Sequence, residues 1–436
     1  MKHFAWIAAA VATLFVCSCS NSTTSPGGGG TSTGKYVVFA WNNLGMHCLN
    51  PTYDQAVILP PYNTVWAQVI ERGDPPRIVT DGLTVEFSID VNTYSYGKRS
   101  YGQFWDNAVA LFGGLFGITS LAHDVGLTGS GLSGTMIASG GHFVAEGIPV
   151  TPVSDTGVWN PYQVAVITVR TQSGTVVAQT RATVPVSDEL DCAKCHGPDP
   201  WGDILQSHDS LHETTLAAST PVLCASCHGS PALGTSGPGT AGIYLSKAIH
   251  GAHSTRGAVC YDCHPGTVTR CSRSVRHSGS GDDGNCVACH GTLTQVASSI
   301  PGTRIPWVNE PGCATCHTGV AGVATASVLY RDASGHGGVY CAACHGSPHA
   351  MYPSSVGTDN YQALQYQNFS GKVKTIGSCG TCHDSSRGED PNEEFSEAHG
   401  GSSPERKIGC HACHTVVPAT TSDWPHSYQW KNSNAP

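Results

Sequence analysis

Cysteine and histidine carry the chemistry of this chain. From Cys192 onward the pattern C-x-x-C-H occurs eight times. Its members are Cys192, Cys195 and His196; Cys224, Cys227 and His228; Cys260, Cys263 and His264; Cys286, Cys289 and His290; Cys313, Cys316 and His317; Cys341, Cys344 and His345; Cys379, Cys382 and His383; and Cys410, Cys413 and His414. Two thiols at this spacing add to the two vinyl groups of one porphyrin, and the next histidine is held under the iron. C-x-x-C-H is therefore the attachment signature of a c-type haem. Zinc ribbons, thioredoxin-like sites and iron–sulfur sites also group cysteines, but none requires a histidine after every pair. With 22 histidines in 436 residues, eight such coincidences have a probability of order 10⁻¹⁰.

Successive motifs begin 32, 36, 26, 27, 28, 38 and 31 residues apart. A segment of that length buries too little surface to enclose a porphyrin alone. Each haem must pack against other haems and neighbouring segments, an arrangement suited to electron hopping. The polypeptide around them is expected to hold little regular structure beyond short helices.

Each iron needs a second axial ligand. Beyond the initiator only Met46, Met136 and Met351 are present, too few for eight irons. Histidine is the expected ligand, with His208, His250, His253, His277, His336, His349, His399, His411 and His426 as distal candidates and His212 as a competitor of His208. His411 lies inside the last motif and must reach another iron. The choice between His250 and His253 stays open. His47 is a weaker candidate. An iron with two histidines is closed to substrate, which favours electron transfer over catalysis, at low potential. No catalytic residue is assigned.

These residues need a compartment and a scaffold. Lys2 and His3 precede an apolar run, Phe4 to Val16, of signal-peptide length and too short to span a bilayer. Val16-Cys17-Ser18-Cys19 resembles a bacterial lipobox, with Cys19 as the lipidated residue and Cys17 as the alternative. Ser20 after it points to the outer membrane by the sorting rule for such proteins. Soluble export after ordinary cleavage is the competing reading. Residues 20–34, rich in Gly, Ser and Thr, read as a flexible linker.

The expected organisation is a signal peptide (1–18), a lipid-anchored linker (19–34), a β-sandwich-like domain (35–186) and an octahaem cytochrome c domain (187–436). Strands are expected at Tyr36 to Trp41, Val65 to Ile70, Leu83 to Val91, and in a hairpin from Val164 to Val184. A short helix is expected from Phe104 to Phe116. Met46, His47, Cys48, His123 and His142 contain the residue types of a blue-copper site, but the cysteine comes early instead of late. A support or docking role is the plainer reading. Cys48 and Cys271 are the thiols left over, and an exported protein would tend to oxidise them. A disulfide between them is one expectation, two unrelated buried thiols the other. Charged residues make up only 12% of the chain and the formal net charge is −9, which excludes a basic nucleic-acid binder.

The eight motifs, with Cys341-Ala-Ala-Cys344-His345-Gly346-Ser347-Pro348-His349, resemble multihaem c-type cytochromes of metal-reducing bacteria. Trp41-Asn42-Asn43-Leu44-Gly45-Met46-His47-Cys48 and Leu59-Pro60-Pro61-Tyr62-Asn63-Thr64 resemble a β domain that precedes such haem regions. The resemblance implies an outer-membrane or extracellular electron carrier in respiration, with other cytochromes or extracellular acceptors as partners. Some members of that group form haem filaments, so a filament subunit is one alternative; an octahaem oxidoreductase acting on nitrogen or sulfur oxyanions, which would need one open iron, is the other. In similar sequences a histidine stands at the place of His208 in Ile204-Leu205-x-x-His208-Asp209, which favours His208 over His212.

Overall fold

The computed structural model describes residues 34–73, 75–266, 268–277, 285–311, 328–366, 376 and 379–383, together with the backbone of 414–416 and 429–430. The N-terminal half is built from strands β1 (Tyr36–Asn42), β2 (His47–Cys48), β3 (Ala56–Val57), β4 (Asn63–Glu71), β5 (Arg77–Val79), β6 (Leu83–Ile89), β7 (Ser133–Thr135), β8 (Ile137–Ser139), β9 (His142–Ile148), β10 (Tyr162–Thr171) and β11 (Val176–Ser187), with helix α1 (Gly102–Phe116) between β6 and β7. One sheet runs β1-β4-β9-β8, with β5 also on β4; the other runs β2-β11-β10-β6-β7. The five strand expectations and the helix are all present.

Alternation explains how the sheets face each other. In β6, Val85, Phe87 and Ile89 are buried while Ser88 is exposed. In β10, Ala165, Ile167 and Val169 are fully buried. They meet Val38, Ala40, Val65, Ala67 and Val69 of the other sheet in one apolar cluster, capped by Phe104 and Phe112 of α1. Each such large apolar side chain contributes about 1.5–3 kcal/mol by leaving water.

β1 breaks the alternation, because all of Val37–Asn42 is buried. Val38 and Ala40 enter the intersheet core. Val37, Phe39 and Trp41, on the opposite face, pack against Ala342, Ala343, Tyr352, Ala363 and Tyr366 from the haem-motif half. That second layer also covers the strand's edge. Gln362 binds both the N–H and the carbonyl of Ala40, and the Tyr366 hydroxyl donates to the Val38 carbonyl at 2.6 Å. An edge that would otherwise invite pairing with another chain is thus closed.

The C-terminal half has short helices and little other regular structure: α2 (Ala193–His196), α3 (Pro200–His212), α4 (Leu245–His253), α5 (Cys260–Cys263), α6 (Cys286–His290), α7 (Leu293–Ser299), α8 (Cys341–His345) and α9 (Tyr361–Gln365). Strand β12 (Val222–Leu223) runs parallel to β3, and a two-stranded pair joins β13 (His414–Val416) to β14 (Gln429–Trp430). The β12 pairing puts Leu223, Ala225 and Leu233 into the main β core. α3 begins where Pro200 follows Asp199, whose side chain accepts from the Gly202 N–H.

Candidate haem-binding site

The described motifs fold as single helical turns. His196, His228 and His264 each donate their backbone N–H to the carbonyl of their motif's first cysteine, at 2.9, 3.1 and 2.8 Å. One turn places residues i, i+3 and i+4 on one face. Both thiols and the imidazole therefore point to a common side, as covalent attachment to one porphyrin requires. Burial pushes the Cys192 and Cys224 thiols up to about 11 and the Cys344 thiol up to about 12.

The structure brings four motif histidines close to histidines from elsewhere in the chain. Ring centroids are 6.2 Å apart for His196 and His253, and 6.2 Å for His228 and His208. They are 6.1 Å apart for His264 and His250, and 6.2 Å for His290 and His349. Two imidazoles on opposite sides of one metal ion place their centroids about 6 Å apart, from two metal–nitrogen bonds of about 2 Å and about 1 Å from each nitrogen to its ring centre. The four separations fit that arrangement.

The second nitrogens fit it as well. His228 Nδ1 donates to the Ile243 carbonyl at 3.2 Å, His250 Nδ1 to Ser246 at 2.6 Å, His253 Nδ1 to Ile249 at 2.7 Å and His349 Nδ1 to Leu44 at 3.4 Å. His208 Nδ1 donates to Thr214 Oγ1 at 2.9 Å, and Thr214 in turn donates to Asp209 at 2.6 Å. His196 Nδ1 lies 2.6 Å from an Asp203 carboxylate oxygen. Occupying Nδ1 fixes the tautomer and leaves the Nε2 lone pair for a metal, the usual outer-shell arrangement of ligating histidines. Burial, helped by neighbouring imidazoles and by Arg304, holds His264 and His290 down at about 4, so both are neutral at pH 7.

His208 is thus the member of its pair that reaches a motif, while His212 is exposed. His250 and His253 are both engaged, each toward a different motif. Sequence reasoning missed Asp203, Thr214 and Asp209, which support the rings. Of these only Asp209 had a signal, its place beside His208. His345 closes α8, His277 closes a turn at Val275–His277, and His383 follows a turn at Cys379–Thr381. His336 opens the short turn His336–Gly338. Cys19, Cys313, Cys316, His317, His399, Cys410, His411, Cys413 and His426 lie outside the described residues.

The N-terminal histidines have other surroundings. His47 is buried in β2, its Nε2 3.3 Å from Asn43 Oδ1, and burial holds it down at about 4. His123 stacks on Tyr96 and His142 on Trp66. Among the described residues no three His, Cys, Asp or Glu side chains gather as a metal-binding group. Cys48 and Cys271 are free thiols brought toward each other. Cys48 pairs in register with Ser187, whose Oγ bonds Thr269 at 3.3 Å. Burial pushes the Cys48 thiol up, with a smaller push from the Cys271 thiol.

A family model for the doubled CXXCH motif matches residues 184–233, and a model described as cytochrome c554 and c-prime matches residues 297–346. No curated protein and no solved structure matches the chain. The doubled-CXXCH match, the cytochrome-family match and imidazoles spaced for a shared metal together indicate a multihaem c-type cytochrome that works in electron transfer.

Proposed function

We propose that the chain carries eight covalently bound c-type haems, mostly ligated by two histidines, and passes electrons from haem to haem. The observation that carries this reading is the set of four imidazole pairs at 6.1–6.2 Å. The haem supplies one-electron redox chemistry. The paired histidines would hold each iron, and their Nδ1 hydrogen bonds fix the imidazole tautomers.

The helices also set a path. α3 carries both Asp203, which supports His196, and His208, which faces His228, so it spans the first and second sites. α4 carries His253 toward the first site and His250 toward the third. Lys194 of the first motif pairs with Asp262 of the third at 2.6 Å. The His349 imidazole acts electrostatically on His264, and His264 on His290, which supports a third site beside the fourth. These links support a proposed order of second, first, third, fourth.

Export, a lipid anchor at Cys19, and a place at the outer membrane or cell surface belong to the same proposal, supported by the N-terminal sequence. Partners are then other cytochromes or extracellular acceptors. The paired histidines favour this carrier over the oxyanion-reductase reading, which needs an open iron. Ring-plane angles add a test. The planes of the first two pairs meet at 74° and 87°, those of the other two at 20° and 31°. Electron paramagnetic resonance of the oxidised protein should show two classes of low-spin iron: strongly anisotropic from near-perpendicular rings and rhombic from near-parallel ones. A dominant high-spin signal that binds CO after reduction would overturn the reading.

A further inference from the structure

Arg304 is a half-buried cation with no counter-ion among the described residues. It makes no ion pair and no side-chain hydrogen bond among the described residues, and burial lowers its pKa with no carboxylate acting on it. A guanidinium withdrawn from water without an anion is costly, so such a group is normally paired.

Its position says which anion is missing. Arg304 follows α7, its backbone N–H bonded to the Ser299 carbonyl at 3.2 Å. The adjoining Ile305 packs with Tyr244, Val296 and Ile300, joining this turn to the start of α4. Lys247 of α4 donates to the Ala297 carbonyl of α7, and Thr294 donates to the Ser254 carbonyl at 3.2 Å. α4 is the helix that presents His250 to His264. The positive charge of Arg304 acts on both of these imidazoles, and on His290.

We propose that Arg304 holds a propionate of the haem ligated by His250 and His264. The inference rests on the two-histidine reading of that pair. A porphyrin between these rings carries two carboxylates at its edge, and the planar fork of arginine matches a carboxylate in two-point contact. The contact neutralises negative charge near the iron and so raises that haem's potential.

The test uses the full holoprotein and its Arg304→Gln and Arg304→Lys variants. Intact mass first establishes that each keeps the wild-type number of haems. Spectroelectrochemical titration and resonance Raman spectra of the propionate bending region are then compared. Arg304→Gln should lower the midpoint potential of one haem and shift one propionate band. Arg304→Lys, which keeps the charge and loses the fork, should shift the band while moving the potential less. If Arg304→Gln does not mature, the lysine variant alone decides by its band. Unchanged propionate bands would overturn the proposal, whether or not a potential moves. Failure of the ligand reading would look different, because the wild type itself would then contain high-spin, CO-binding iron.

Discussion

His196 differs from the other paired histidines in what its Nδ1 meets. Its neighbour is the Asp203 carboxylate at 2.6 Å, whereas His228, His250, His253 and His349 meet backbone carbonyls. A carboxylate draws the proton further and gives the ring more anionic character, which favours the ferric state. Asp203→Asn should therefore raise the midpoint potential of one haem, and Asp203→Glu should restore part of the difference; redox titration reads both. The choice at α3 is tested more simply. His208→Ala should convert one iron to a high-spin, CO-binding form, while His212→Ala should leave the spectrum unchanged. The thiols and proximal histidines were legible in the sequence because their geometry is fixed within five residues. The distal ligands were legible as a set but not as pairs. His349 lies 59 residues after His290 and His253 lies 57 after His196, so proximity to the next motif was a poor guide. Pairing depends on how the helices stack, which no local spacing records.

At the scale of elements, the turn between β1 and β2 reaches into the haem half. The Leu44 carbonyl accepts from His349, and Gly45, at φ +76°, lies so close to Pro348 that a Cβ would fall 1.4 Å from its carbonyl oxygen. Gly45→Ala should displace this turn and perturb the iron that His290 and His349 would ligate, visible as a changed low-spin signal. Arg273 locks the same region. It is 2% exposed, bonds Asp359 at 2.8 and 3.2 Å, and donates to the Gly45 carbonyl at 2.7 Å. Removing one partner of a buried pair costs about 3–5 kcal/mol, so Arg273→Met should lower thermal stability clearly. In β2, His47 has its folded pKa depressed to about 4 from 6.5. The unfolded chain then binds the extra proton first, so stability is full above pH 6.5 and declines as pH falls toward 4. About 3 kcal/mol is at stake. His47→Gln should flatten that part of an acid-unfolding curve followed by circular dichroism. The strands were legible from alternation. The double burial of β1 was not, because its outer face is covered by residues some 300 positions away.

Across the whole molecule, the two halves fold around shared cores instead of sitting side by side. β1 is covered by α8 and α9, and β12 adds a strand from the motif half to β3. A disulfide between Cys48 and Cys271, formed by exchange with an oxidised dithiol donor, would fasten the same seam. Thiol labelling of the denatured protein should find neither residue reactive until reductant is added. Sixteen propionates would take the formal charge from −9 to about −25 if all ionise. Association with a redox partner should then depend steeply on ionic strength and favour cationic surfaces. The haem count bears on all of this. The intact mass of the purified holoprotein should equal the processed chain, with any lipid, plus eight covalently added haems. A mass that corresponds to any other number would contradict the reading of the eight motifs as eight working sites.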